Sequence, residues 1–135
     1  MSTHQLVSRA REMNGQLRGW SAEIEQGRRL PSELAVALAA KGYFRMLVPR
    51  ALRGLEVTPR DFVDAVTELA RGDSAAGWCT MTSATTSLLS AYVDATFARQ
   101  VWAETPNVIT AGVFAPIGRA EPVAGGYRLT GRWPF

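Results

Sequence analysis

The sequence predicts a mainly α-helical domain followed by a short antiparallel β segment. Three observations predict this class: apolar residues recur with helical spacing over the first hundred positions, proline and glycine separate successive helical stretches, and the period becomes extended after Pro106. We therefore expect a helical domain over residues 1–105 and the start of an incomplete β domain over residues 106–135.

The first two helices are indicated by periodicity and by their end signals. Apolar residues recur at steps of four and three near the N-terminus, which predicts one buried side of a long helix. They are Leu6, Ala10, Met13, Leu17, Trp20 and Ile24. Pro31 suits the first turn of the next helix, and Gly42 suits the left-handed residue that ends it. Residues 43–49 then form a crossing strand or a loop.

Three further helices follow. Thr58 and Pro59 open one whose buried face holds Phe62, Val66, Leu69 and Ala70. Asp73 or Ser74 caps a helix over residues 75–90, whose inward side is predicted to hold Trp78, Met81, Thr85, Leu88 and Leu89. Many hydroxyl side chains also lie on this helix, and they either bond to its own carbonyls or wall a polar cavity. Asp94 begins a short helix with Phe97, Val101 and Trp102 inward.

The last thirty residues have the pattern of strands. Residues 108–114 and 127–133 are predicted to be extended, and the turn residues 124–126 suggest a hairpin because glycine supplies positive φ angles. Two or three strands cannot bury themselves. We therefore expect this part to be the beginning of a sheet whose remainder is absent.

Several function classes are excluded by composition. His4 and Cys79 are the only residues of their types, so neither an intrachain disulfide nor a clustered Cys/His metal site is expected. The carboxylates of Glu68, Asp73 and Glu104 are interpreted as caps and solvated charges, and no nucleophile with a base or phosphate-binding loop is found. Basic residues are dispersed, which argues against nucleic acid. No apolar run reaches about 18 residues, so we expect no membrane span and a cytoplasmic location.

Several motifs together resemble the acyl-CoA dehydrogenase superfamily. They begin with Leu30-Pro31, Gly42-Tyr43-Phe44 and Val48-Pro49, and continue through Leu-Ala-Arg-Gly-Asp-Ser-Ala-Ala-Gly-Trp at residues 69–78. Members usually have a Gly-Gly pair where this chain has Arg53-Gly54. The resemblance implies the helical N-terminal domain of that superfamily and the first strands of its middle β domain.

The strand region favours one branch of the superfamily. Dehydrogenases typically have Thr-Glu or Ser-Glu-Pro and then Gly-Ser-Asp here, whereas residues 114–119 read Phe-Ala-Pro-Ile-Gly-Arg. The Pro-x-Gly-x-Ala, Gly-Gly-Tyr and Gly-x-Trp series resembles flavin-dependent monooxygenases that hydroxylate aromatic or polycyclic compounds with reduced flavin and O2. We expect the N-terminal part of such a two-component enzyme, inactive as an isolated chain.

The resemblance also implies site residues and partners. Trp78, Thr82 and Ser83 would contact a small-molecule substrate, although Trp78 has core packing as its alternative. Ser83 stands where some oxygenases of the family have a histidine, and an unaided serine is not a base near neutral pH, so no catalytic residue is assigned. FAD or FMN would be contacted by Phe114, Pro116, Trp133 and Phe135, with weak or no binding by this chain alone. A homo-oligomer, a tetramer in the family, and a flavin reductase partner are implied.

Two alternatives from other classes remain open. The parent is an FAD-dependent acyl-CoA dehydrogenase, or the chain is a truncated product that acts only as an interaction module. Binding of CoA by the completed protein would indicate the first alternative. A stop codon after Phe135 would favour the second.

Overall fold

The computed structural model describes residues 3–133, with side chains from residue 5 onward. Within these residues six helices precede one two-stranded antiparallel sheet. The elements are α1 (Thr3–Glu12), α2 (Asn14–Gly27), α3 (Ser32–Ala40), α4 (Pro59–Gly72), α5 (Ser74–Ser87), α6 (Ala95–Ala98), β1 (Arg119–Val123) and β2 (Gly126–Thr130). Three 3₁₀ turns (Tyr43–Arg45, Arg50–Leu52, Leu88–Ala91) and a π-helical turn (Arg99–Ala103) complete the helical part. The predicted fold class is confirmed, whereas the domain boundary remains a prediction.

The long N-terminal helix is interrupted at Met13. The Met13 N–H is shared between the carbonyls of Arg9 and Ala10, both at 3.2 Å, and its own carbonyl accepts from the Leu17 N–H at 2.9 Å. The predicted apolar side is buried in both pieces, with only Trp20 partly exposed. α1 and α2 therefore present one continuous apolar side to α4.

Side-chain caps begin the later helices as expected. The Thr58 hydroxyl accepts from the Asp61 N–H at 3.3 Å, and the Asp73 carboxylate accepts from the Ala76 N–H at 2.9 Å. Asp94 caps α6 in the same manner. Each cap satisfies an N–H group that has no partner within its helix.

Residues 43–49 form a loop, so the strand alternative for this segment is wrong. Gly42 has φ 85°, as expected for the residue that ends α3, and a 3₁₀ turn follows. The carbonyls of Arg45, Met46 and Val48 accept hydrogen bonds from the N–H groups of residues 55–57. The backbone is thus paired with its own returning loop rather than with a strand.

The inward sides of α4 and α5 differ from the prediction. On α4, Ala70 is exposed and Ala65 is buried, while Phe62 and Val66 are only partly buried. The predicted apolar side of residues 75–90 is largely exposed, with Trp78 at 58% on α5, and Leu88 at 42% and Leu89 at 45% in the 3₁₀ turn that follows. The buried side consists of small and hydroxyl residues: Ala76, Gly77, Thr80, Ser83, Ala84, Thr86 and Ser87. Small side chains occupy the buried side because they let α5 approach α4 closely.

A second cluster lies under α6. Val48, Ala98 and Trp102 are buried together there, which confirms the inward position of Trp102. Phe97 is 51% exposed, so its predicted inward position is wrong; its ring meets Trp102 edge to face at 6.4 Å. The π-helical turn after α6 changes the rotation of the chain, which an ideal helical period does not anticipate.

Arg45 joins three chain segments. Its guanidinium donates to the carbonyls of Pro106 at 2.7 Å, Leu52 at 3.0 Å and Trp102 at 3.0 Å. Burial lowers the pKa of Arg45, and the neighbouring Arg53 acts in the same direction. This contact attaches the extended segment after Pro106 to the helical part.

The β segment is shorter than predicted. β1 and β2 form the expected hairpin, with Arg119 opposite Thr130 and Val123 opposite Gly126, and Gly125 has φ 83° in the turn. Residues 108–114 were predicted to form a strand, but they pair with no strand among the residues described. This strand prediction is wrong for the described part of the chain. These residues are held instead by side chains of α5.

Candidate functional site

A cavity of about 360 Å³ lies between the α2–α3 turn, α5 and residues 109–111. Trp78, Thr82 and Ser83 all line it. Its other lining residues are Arg28, Arg29, Leu30, Ala35, Phe44, Cys79, Ile109, Thr110 and Ala111. The three residues that the sequence suggested for substrate are therefore neighbours on one wall, and their role stays a prediction.

α5, which begins at the Asp73 cap, contributes two side chains of one helical side to this cavity. Trp78 and Thr82 are four residues apart and share one side of the helix. Because Trp78 is 58% exposed, the alternative that it packs in the core is wrong. Its indole borders the cavity, and Thr82 lies one turn further in, partly buried.

Ser83 is fully buried and holds the opposite wall in place. Its hydroxyl accepts from the Thr110 N–H at 3.2 Å, and the Thr110 hydroxyl donates to the Ser83 carbonyl at 2.9 Å. The Thr110 oxygen also lies 2.8 Å from the Ser87 hydroxyl, which must donate there because the Thr110 proton is already engaged. Ser83 and Ser87 thus position residues 109–111 against α5.

Some hydroxyls of α5 bond to carbonyls of the same helix, and others belong to residues that line the cavity. Thr85 donates to the carbonyl of Met81 at 2.9 Å, and Thr86 donates to that of Thr82 at 2.8 Å. These hydroxyls are satisfied within the helix. The hydroxyls of Thr82 and Ser83 instead belong to residues that border the cavity.

Cys79 contributes a thiol to the same wall. Burial raises the pKa of this thiol, and the nearby Asp73 carboxylate raises it further. The group is therefore neutral at physiological pH and is a poor nucleophile there.

The residues suggested for flavin lie further along the extended segment. Phe114 is 77% exposed, Pro116 is exposed as well, and the Trp133 indole N–H donates to the Ala115 carbonyl between them at 3.3 Å. The Trp133 ring also covers Gly118, where an added Cβ would lie 2.3 Å from it. Phe135 lies outside the described residues. An exposed aromatic ring beside backbone groups without a described strand partner fits a flat heterocycle, which stacks on rings and pairs with peptide groups.

The carboxylates offer no acid or base in this cavity. Asp73 is a cap, as predicted, but Glu68 is only 5% exposed, so its interpretation as a solvated charge is wrong. Glu68 accepts from Arg11 at 3.0 Å and from Arg71 at 2.8 Å. No group of three or more His, Cys, Asp or Glu side chains in the described part could hold a metal, and no helix within residues 3–133 is long and apolar enough to cross a bilayer.

Comparison with known proteins identifies the family. The model of the acyl-CoA dehydrogenase N-terminal domain matches residues 3–101. The chain belongs to this family. Its similar relatives are flavin-dependent monooxygenases, so the resemblance to that branch is confirmed.

Two proteins illustrate the relationship. The chain is 34% identical to the oxygenase component of an FADH2-dependent resorcinol hydroxylase from Rhizobium sp. over 131 residues, which are 96% of this chain and 32% of the relative. The crystal structure of the HsaA monooxygenase from M. tuberculosis superposes with a TM-score of 0.87 at 27% identity, covering 97% of this chain and 36% of the other. The chain thus spans about a third of the length of these relatives.

Sequence reasoning missed four polar or charged residues that line this cavity. Arg28 and Arg29 line it from the α2–α3 turn, Cys79 from α5, and Thr110 from the extended segment. The Arg-Arg pair after Gly27 and a lone threonine in an apolar run were visible signals. Neither signal, taken alone, indicates a partner more than twenty residues away.

Proposed function

We propose that this chain supplies the substrate-facing helical layer of the oxygenase component of a two-component flavin-dependent monooxygenase. The cavity between α5 and residues 109–111 carries the proposal, because it combines apolar and aromatic walls with three hydroxyl residues and adjoins the segment of Phe114. Such a lining suits a flat aromatic or polycyclic substrate with a polar substituent. Similarity to hydroxylases of aromatic compounds supports the same assignment.

Reduced FAD or FMN would supply two electrons and activate dioxygen, so that one oxygen atom enters a substrate C–H bond and the other leaves as water. Phe114, Pro116 and Trp133 are the residues of this chain that would hold the flavin ring, with Phe135 next to them in sequence.

The residues of the chain would bind and orient substrate. Trp78 and Phe44 present aromatic surface, and the Thr82 hydroxyl hydrogen-bonds a substituent of the substrate. Ser83 acts through Thr110, since it positions the wall formed by residues 109–111. The layer also excludes water, which protects a reactive oxygen species from unproductive breakdown. The chain places no base in the cavity.

The proposal includes the surroundings of the enzyme. A separate flavin reductase supplies reduced flavin from NADH, the oxygenase forms a homo-oligomer, and both proteins work in the cytoplasm. The flavin can be either FAD or FMN, because no described residue discriminates between them.

The test uses the complete gene product with NADH, a flavin reductase and a panel of phenols and polycyclic substrates. We expect hydroxylated product, and Thr82→Val should lower product formed per NADH on the order of fivefold, as for the loss of one hydrogen bond. Thr67→Val, at an exposed position on α4 outside the cavity, is the control. Dehydrogenation of an acyl-CoA without oxygen uptake would contradict the proposal.

A further inference from the structure

The cavity contains two positive charges that the proposed function leaves unexplained. Arg28 and Arg29 both line it, and no Asp or Glu does. Among the described residues neither guanidinium forms an ion pair with a carboxylate. Two cations therefore border the cavity without an ion-pair partner among the described residues.

Acidic side chains occur beside this cavity but not in its lining. A neighbouring cavity of about 490 Å³ shares Arg28 and Arg29 and is lined by Glu25 and Asp73 as well. Asp73 is already engaged, because it accepts from the Ala76 N–H at 2.9 Å and from the Ser21 hydroxyl at 2.7 Å. Asp73 lines the neighbouring cavity and not the first one, where no carboxylate is part of the lining.

The backbone at Arg28 is the second observation. Arg28 has φ 49° and ψ 33°, the left-handed conformation that glycine or asparagine adopts most readily. A bulky residue there costs on the order of 1 kcal/mol. An arginine kept at a strained position on a cavity wall indicates a use for its side chain.

The geometry points to a substrate class. Resting on the proposed function, we infer that the cavity selects aromatic substrates that carry a carboxylate, with Arg28 and Arg29 binding the carboxylate and Trp78 covering the ring. A guanidinium binds a carboxylate through two parallel hydrogen bonds. Both guanidiniums belong to exposed residues, so water partly screens the attraction, and the two of them act on one carboxylate. Thr82 remains available for a substituent at the other end of the ring.

Cys79 gives a readout that does not depend on flavin or turnover. It is the only cysteine in these 135 residues, and it lines this cavity as well as the neighbouring one. N-ethylmaleimide alkylates Cys79 in the 135-residue chain at mildly alkaline pH, without flavin. The alkylation rate is measured at increasing concentrations of 4-hydroxyphenylacetate or of its neutral analogue 4-hydroxyphenylacetamide. We expect the acid to protect Cys79 at about tenfold lower concentration than the amide.

Matched variants locate the charge effect. Arg28→Gln and Arg29→Gln should each reduce the preference for the acid, and the double variant should abolish it. Arg28→Gly removes the same charge while suiting the left-handed backbone, so a folding defect can be recognised. Arg18→Gln, exposed on α2 and outside the cavity, should leave the preference unchanged. For each variant, the alkylation rate with acid or amide is divided by the alkylation rate of the same variant without either compound.

The outcomes separate this inference from the proposed function. Equal protection by acid and amide in the native chain would overturn the selection of carboxylates while leaving a hydroxylase of neutral aromatics intact. A preference that survives in the double variant would overturn the assignment to Arg28 and Arg29. If neither probe protects Cys79, the assignment of a carboxylate site to this cavity is overturned, and the proposed function is then decided separately by turnover of the complete gene product.

Discussion

Gly77 sets the distance between α4 and α5. A Cβ at this position would lie 2.6 Å from the Ala70 Cβ, 2.8 Å from its Cα and 3.0 Å from its nitrogen. Backbone atoms of a neighbouring helix cannot rotate away as a side-chain end can. Any side chain at residue 77 must therefore push the two helices apart.

This contact predicts opposite effects for two helical glycines. Gly77→Ala should destabilise the chain by roughly 1–3 kcal/mol through overpacking. Gly15→Ala should stabilise it by about 0.5–1 kcal/mol, because alanine favours the helix and no atom lies within 4 Å of the added Cβ. Urea unfolding followed by circular dichroism measures both. Shifts of the same sign would show that helix propensity, not packing, governs residue 77.

Arg53-Gly54 shows which part of a residue pattern sequence can explain. The chain departs from the Gly-Gly pair usual in the family at Arg53, which has φ 61°. A side chain is tolerated there at a cost in backbone strain. At Gly54 an added Cβ would lie 1.9 Å from the Val48 carbonyl oxygen, so glycine is required. The sequence shows that one glycine of the pair is replaced, but it does not explain why position 53 tolerates a side chain and position 54 does not.

At the scale of elements, Glu68 links α4 to α1. Its carboxylate accepts from Arg11 on α1 and from Arg71 one turn further along α4. The Arg71 contact follows from helical spacing. The Arg11 contact joins residues 57 positions apart, and no periodicity within one helix reveals such a pair.

The link predicts a pH-dependent stability. The hydrogen bond from Arg11 is the main cause that lowers the pKa of Glu68 below its usual 4.5, with Arg71 adding to it. A lowered folded-state pKa contributes stability above the unfolded-state value, and this is lost as pH falls through the folded-state value. The difference in unfolding free energy between the native chain and Glu68→Gln should therefore shrink as pH falls from about 6 to about 3. The exposed Glu23→Gln serves as the control, and a constant difference would contradict the assignment.

α5 shows the limit of amphipathic patterns. Trp78 on α5 and Leu88 and Leu89 in the 3₁₀ turn after it were predicted to face inward, but all three are exposed. The pattern records where apolar side chains lie along a helix and not which neighbour covers them. The opposite side is buried because glycine, alanine and short hydroxyl side chains allow close helix packing.

At the scale of the whole molecule, the order of helices and hairpin follows from local signals. Caps, prolines and a change of period are contained within a few residues each. Contacts between distant segments decide two features that local signals do not. Residues 108–114 lie against α5 instead of pairing as a strand, and Arg28 and Arg29 lie beside α5. These contacts form the candidate cavity, so the sequence suggested three of its residues without suggesting its cationic edge.

Exposed apolar side chains of the described residues include two groups outside the candidate cavity. One lies at the end of α5 and on α6, and consists of Leu88, Leu89, Tyr92 and Phe97. The other lies on β2, where Tyr127 is 74% and Leu129 is 65% exposed, in a hairpin without a further described strand. Exposed apolar patches and open strand edges both favour association.

We therefore expect the 135-residue chain to self-associate despite its net charge of +3. Sedimentation velocity over a range of concentrations should show species larger than a monomer. Leu88→Gln with Leu89→Gln tests the helical group, and Tyr127→Thr with Leu129→Thr tests the hairpin. Val36→Gln, at an isolated exposed position on α3, is the control because a single surface apolar residue is not a patch. A monomer at every concentration would contradict the prediction. Loss of association in only one double variant would identify the surface responsible.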